Sequence, residues 1–263
     1  MMKQLLAAIA LAAWTLVGHG AIVETTFSGT VTVSSDASDI LGYGGGSAAN
    51  GSRVTLTFRF DTATAPADFY GGARFPIEAD YTNFVLPVWI SAVVEFDNGF
   101  TLTSAGFDGS LGVQQQVKIQ DNCVLCSFGP VGATAWDSYG NFIQIGTESA
   151  GGNITDTFIA GARVFDYTQS LINNLAIDQL VNWSPGAAGT YWADAQFAYR
   201  HVDRLNDANS FYAEMWQAKI DSVTSRVVPE PTTFALAALG LAGLAAMRGL
   251  RQKRLGRPHR CPF

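Results

Sequence analysis

Residues 53–60 read Arg53-Val54-Thr55-Leu56-Thr57-Phe58-Arg59-Phe60, and this stretch decides the fold class. Val54, Leu56, Phe58 and Phe60 take every second position, with Arg and Thr between them. Successive side chains of a strand point to opposite faces, so the pattern predicts a strand with one buried face. An amphipathic helix would instead bring apolar residues round every third or fourth position.

Working outward, residues 26–33 are rich in Thr and Val, and residues 142–145, 157–165, 191–201 and 211–223 are further strand candidates. In the last of these, Trp216, Ala218 and Ile220 alternate with Gln217, Lys219 and Asp221. Residues 93–96 and 100–103 flank Asp97-Asn98-Gly99, a predicted hairpin whose turn needs the positive φ that Asn and Gly tolerate. Loops are predicted at 41–51, 62–76 and 184–189, all rich in Gly or Pro. Only residues 168–180, with Leu171, Ile172 and Leu175, show a weak helical spacing. Many short strands with such connections predict an all-β chain, a single antiparallel β-sandwich of jelly-roll type over residues 21–228. No fixed-period repeat supports a propeller or solenoid. Residues 222–228 read as a stalk.

Across all 263 residues the formal net charge is −6, but this figure conceals an asymmetry. Residues 21–228 hold nine Lys/Arg against twenty-one Asp/Glu, a formal charge of −12. Such a region repels phosphates and gains no counterion release, which excludes nucleic acid as a partner. Its supply of Phe, Trp, Ile, Val and Leu is ample for a core and excludes a disordered chain.

The chemistry on offer is sparse. Of three histidines only His201 falls inside this region, which excludes a multi-His metal site. A Ser-His-Asp mechanism would have to use His201, and no Gly-x-Ser-x-Gly elbow accompanies it. Glu78 with Asp80, or Glu95, are the paired acids available for glycoside hydrolysis, against the ordinary role of solvated acids on strand faces. Asp203, Asn206, Asp207 and Asn209 cluster in one loop and offer the hard oxygens that calcium takes, although such residues ordinarily cap and reverse the chain. No other cofactor or metal is expected. Cys123 and Cys126 make a local disulfide the default in an oxidising compartment. A redox pair would need a strand–helix setting, whereas the flanks Gln120-Asp121-Asn122 and Ser127-Phe128-Gly129-Pro130 read as turn. Trp183, Tyr191, Trp192 and Tyr212 lie near Gly-rich or polar loops, where rings can stack on sugars, with half of them assigned to the core.

Both termini carry addresses. Lys3, the apolar residues 5–17 and Gly18-His19-Gly20 form a signal peptide over 1–20, a substrate for signal peptidase. Near the other end stand Val227-Val228-Pro229-Glu230-Pro231, then an uncharged run of Thr, Phe, Ala, Leu, Gly and Met to Met247. Arg248, Arg251, Lys253, Arg254, Arg257 and Arg260 follow without an acid among them, in a basic tail that runs to Phe263. The two prolines hold their tripeptide extended and detach it from any helix upstream. A helix over about 232–250 would span about 28 Å, close to a bilayer core of about 30 Å. The basic cluster places the tail on the cytoplasmic side.

In that order, Pro229-Glu230-Pro231, the Ala/Leu/Gly-rich helix and the Arg-rich end resemble the PEP-CTERM sorting signal of Gram-negative bacteria, here over residues 229–254. The resemblance implies recognition by exosortase, a membrane-embedded transpeptidase-like enzyme, with removal of the signal near the tripeptide. It implies a precursor anchored transiently in the inner membrane and then delivered to the cell surface or secreted. The expectation is a non-enzymatic cell-surface or extracellular-matrix protein associated with exopolysaccharide. A carbohydrate-binding, lectin-like module is the alternative, with a secreted glycoside hydrolase behind it.

Overall fold

The computed structural model describes residues 21–69, 77–124 and 135–229. In chain order its strands are β1 (Ile22–Asp36), β2 (Arg53–Asp61), β3 (Glu78–Asn83), β4 (Ile90–Phe96), β5 (Thr101–Thr103) and β6 (Gly112–Cys123). They continue as β7 (Trp136–Glu148), β8 (Ile154–Asp166), β9 (Asn182–Trp183), β10 (Tyr191–Asp203) and β11 (Phe211–Val228). One compact unit ends at Val227, and of the second, Val228–Phe263, only Val228 and Pro229 are described. The predicted signal peptide, Cys126, Glu230, Pro231, the helix over 232–250 and the basic cluster Arg248, Arg251, Lys253 and Arg254 lie outside the described residues. Among the described residues no helix is long and apolar enough to cross a membrane.

All eleven strands belong to one sheet, ordered β3-β6-β7-β8-β10-β11-β1-β2-β4-β5, with β9 pairing on β11. The β1–β2, β2–β4, β4–β5, β3–β6, β6–β7, β7–β8, β8–β10 and β10–β11 ladders are antiparallel. The all-β antiparallel expectation therefore holds. The two separate sheets of a jelly-roll sandwich give way to a single sheet that curls over its own inner face. Strands of 12 to 18 residues make this possible, because twist accumulates along long strands.

The curl is visible in which rings meet. Phe27 of β1 stacks on Tyr139 of β7 at 6.3 Å, and Phe96 of β4 meets Phe197 of β10 edge-on at 6.2 Å. In sheet order these strands are far apart, so the two wings of one sheet face each other across one core. Val23, Phe27, Leu56, Phe58, Ile143, Phe158 and Phe197 all bury their side chains there. Each such side chain contributes about 1.5–3 kcal/mol of apolar burial. Some polar groups of the core are paired across it: Thr25 Oγ1 and the Tyr139 hydroxyl lie 3.1 Å apart, and Gln115 Oε1 accepts from the Trp89 and Ile90 amides at 2.7 and 2.9 Å.

The hairpin turn forms as predicted. Gly99 has φ +88°, its amide donates to Phe96 O at 2.9 Å, and Asn98 Oδ1 accepts from the Phe100 amide at 2.9 Å. Three other readings change. Strand β6 stands where no strand was expected, while β3 supplies the strand face on which Glu78 and Asp80 were set. Gln120-Asp121-Asn122, read as turn, is a bulge inside β6: register moves from Gln120↔Ser138 to Cys123↔Trp136, with Asn122 at φ +50°. Residues 168–180 form turns rather than a helix. Their weak periodicity is used differently, with Leu171 and Ile172 buried in the core. The buried Asp137 carboxylate accepts both of their amides at 3.0 Å and that of Asn122 at 2.8 Å. Burial pushes this carboxyl up, against the three amides that favour its charge.

Candidate functional site

The supposed stalk is part of the sheet. Residues 222–228 complete β11, where Val223 and Thr224 pair with Trp183 and Asn182 of β9. The Ser225 amide donates to Val181 O at 2.7 Å, and Ser225 Oγ lies 2.9 Å from Thr25 Oγ1. Beside them Glu24, buried on β1, accepts from Arg226 Nε at 2.7 Å and from Arg59 Nε at 2.5 Å. Burial raises that carboxyl, yet the two guanidiniums hold it below the ordinary glutamate value. The first and last strands of the domain thus lie side by side, ion-paired at one end.

The residues offered for catalysis or metal binding are placed as follows. His201 Nδ1 lies 2.8 Å from Asp156 Oδ1, and its ring stacks on Phe211 at 4.7 Å. Ser210 shares a cavity of about 570 Å³ with His201, but its hydroxyl accepts from the Asp203 amide at 2.9 Å and makes no bond to the imidazole. Asp203 of the calcium candidate is engaged within its own loop. It accepts from the Leu205 amide at 2.9 Å, the Asn206 amide at 3.1 Å and Asn209 Nδ2 at 2.9 Å, and these bonds hold its carboxyl low. Asp207 and Asn209 belong to a single 3-10 turn that follows Asn206, whose side chain makes no capping bond to it. Among the described residues no group of three or more His, Cys, Asp or Glu is placed to hold a metal. Cys123 is buried and disulfide-bonded.

Of the paired acids, Glu78 and Asp80 share one face of β3, while Glu95 is exposed on β4 near the opposite end of the sheet. Glu78 Oε1 is ion-paired at 2.5 Å with Lys118 of β6, both side chains almost wholly buried. Asp80 accepts from Gln116 Nε2 at 2.9 Å through each oxygen.

Those residues border the most distinctive feature of the outer face, a hollow of about 370 Å³ across β6, β7, β8 and β10. Its construction follows from register. One rung across the sheet runs Lys118, Gly140, Arg163, Asp194, and the next runs Gln116, Phe142, Gly161, Gln196. A glycine therefore sits beside a large side chain in each rung, and the glycines are diagonal to one another. A Cβ on Gly161 would stand 2.9 Å from Phe142 Cδ2, and one on Gly140 would stand 3.2 Å from the Arg163 stem. The missing side chains are what make the depression.

At one margin Trp192 is 43% exposed and packs its ring on Phe165 at 5.3 Å. The Arg163 guanidinium lies 5.4 Å from the Phe165 ring centroid. Among the described residues it donates no hydrogen bond and forms no ion pair, although Asp194 stands opposite it in the ladder. Burial lowers the Arg163 pKa against the pull of Asp194, Asp80 and Glu78. Burial likewise raises the Asp194 carboxyl, to about 6, with Arg163 opposing. Trp192 also lines a second cavity, of about 360 Å³, with Tyr191, Gln217 and Lys219.

The four aromatics singled out from sequence divide. Trp192 and Tyr212 are exposed, whereas Trp183 is buried edge-on against Tyr191 at 5.3 Å. Trp216, which the alternation set on one face with Ala218 and Ile220, is instead 59% exposed while those two are buried. It escapes the core because β11 carries a bulge: Ala195↔Ala218 gives way to Phe197↔Met215, so Trp216 and Gln217 both fall outside while Met215 and Ala218 point in. The rungs of the hollow were missed because β6 was missed. The available signal was Gln114, Gln116, Lys118 and Gln120 alternating with Val113, Val117 and Ile119.

No curated protein and no solved structure matches the chain. A family model does match residues 227–252, from the last two residues of β11 onward: the PEP-CTERM protein-sorting motif. The chain carries this motif, and its precursor is an exported, membrane-transiting protein whose processing partner is exosortase.

Proposed function

We propose that the protein is a non-enzymatic component of the cell surface or exopolysaccharide matrix, held briefly in the inner membrane and released by cleavage near Pro229-Glu230-Pro231. The observation that carries this reading is the sorting motif at 227–252, which begins within the last two residues of the strand that completes the sheet. The acidic domain suits a hydrated exterior. Its candidate hydrolytic acids are spoken for by Lys118 and Gln116, or stand alone on β4.

A second reading, a carbohydrate-binding module, is favoured by the Trp192 hollow, where an exposed ring meets amide, guanidinium and carboxylate groups.

The sorting reading is tested by intact mass of the mature protein from its native host, beside a Glu230→Ala variant. Wild type is expected to lack the residues beyond about Pro231 and the variant to keep them. A mature wild-type chain that retains Phe263 would show an ordinary membrane anchor and overturn the proposal.

A further inference from the structure

The hollow between β6 and β10 has a composition that selects a ligand class. Its floor is low because Gly140 and Gly161 lack side chains, and its volume falls at the small end of the range of about 300–1,000 Å³ typical of small-molecule sites. The walls offer planar amides from Gln114, Gln116 and Gln196, a carboxylate from Asp194 and a guanidinium from Arg163. Trp192 supplies an apolar face at the rim.

A pyranose ring matches that list. One face of the ring is C–H rich and stacks on indole, while its rim carries hydroxyls that both donate and accept. Gln offers both roles, Asp194 accepts and Arg163 donates. Arg163 and Asp194 are in register yet not joined, so each keeps hydrogen-bonding capacity directed to the cleft. An anionic ligand fits less well, since Asp194 and Asp80 stand near Arg163, the neighbouring Lys118 is committed to Glu78, and the domain is strongly acidic.

We propose that this hollow is a subsite for one neutral hexopyranose of an extracellular polysaccharide, with Trp192 as the stacking platform and Arg163, Asp194 and Gln196 holding the hydroxyl rim. The proposal deepens the carbohydrate-binding reading above and rests on it. Trp192 lines the adjoining cavity as well, which gives a longer glycan a continuous path towards Tyr191 and Gln217.

The test is retention of the full chain, in a sugar-free zwitterionic detergent, on immobilised gluco-, manno- and galacto-oligosaccharides. An oligogalacturonate and a random peptide library serve as the other surfaces. At least one neutral oligosaccharide is expected to bind. Trp192→Ala should weaken it about tenfold or more, and Gln196→Ala, an exposed change that spares the fold, about threefold. Trp216→Ala, on β11, should stay within about twofold of wild type. Retention only on the uronate, only on peptide, on no surface, or with indifference to both Trp192→Ala and Gln196→Ala would overturn the subsite. C-terminal processing is read separately by mass, so a normally processed chain that binds no glycan refutes the subsite and leaves the sorting reading standing.

Discussion

The two wings of the curled sheet are written in the same alternation, but their outer faces treat charge in opposite ways. On β1, β2 and β4 most outer positions are hydroxyls or solvated ions. Thr26 faces Thr57 at 3.3 Å, and Arg53 pairs with Asp221 where both are widely exposed. The buried carboxylate on this wing, Glu24, is gripped by two arginines. Around β6, β7, β8 and β10 the Lys118–Glu78 pair is almost fully buried, Arg163 is desolvated and forms no hydrogen bond or ion pair among the described residues, and burial raises the Asp194 carboxyl to about 6. The first wing minimises electrostatic cost. The second tolerates it around a hollow, and uncompensated polar groups of that kind mark where a fold serves something other than its own stability.

This contrast is breakable by mutation, and the largest effect is expected at Lys118. Lys118→Met leaves Glu78 buried without its counter-charge, so urea unfolding should show a loss of about 3–5 kcal/mol. A loss under about 1 kcal/mol would place this pair with the solvated ones and erase the contrast.

Asp194 is next, and here the sign is opposite. Its folded carboxyl titrates near 6, above the ordinary aspartate value of 3.8, so between about pH 4 and 6 the folded state holds a proton that the unfolded chain has released. Stability therefore falls as pH rises through that window, and the full cost is present above it. Asp194→Asn should gain roughly 1–2 kcal/mol at pH 8, after allowance for partial exposure, and nothing at pH 3.5. Equal gains at both values would refute the assignment. The smallest effect belongs to Arg53→Ala, expected to cost under about 1 kcal/mol and to fade further in high salt.

How much of this was legible follows the same division. Strand β2 was readable because each buried position is apolar and each outer one is polar, and the hairpin at Asp97-Asn98-Gly99 was readable because local backbone chemistry specifies it. Strand β6 was obscured because Gln115 occupies an inner position, where it serves the Trp89 and Ile90 amides, and because Lys118 and Gln120 are buried on the outer side. Its polarity is satisfied by partners distant in the chain, which no local pattern displays. The bulge at Trp216 inverted the phase of β11 for a related reason: insertion of one residue depends on the neighbouring strand, not on the strand itself. The sorting motif, by contrast, is linear, and its match at 227–252 lies close to the 229–254 read from the residues alone.

The seat of β11 between β10 and β1 sets a timetable for the molecule. Thr25 and Ser225 touch across a separation of 200 residues, so the central seam of the sheet joins the earliest-made and latest-made parts of the domain. Until β11 arrives, the wings share no continuous ladder and such distant pairing is slow. The sheet can therefore close only when the strand adjoining the sorting motif is present.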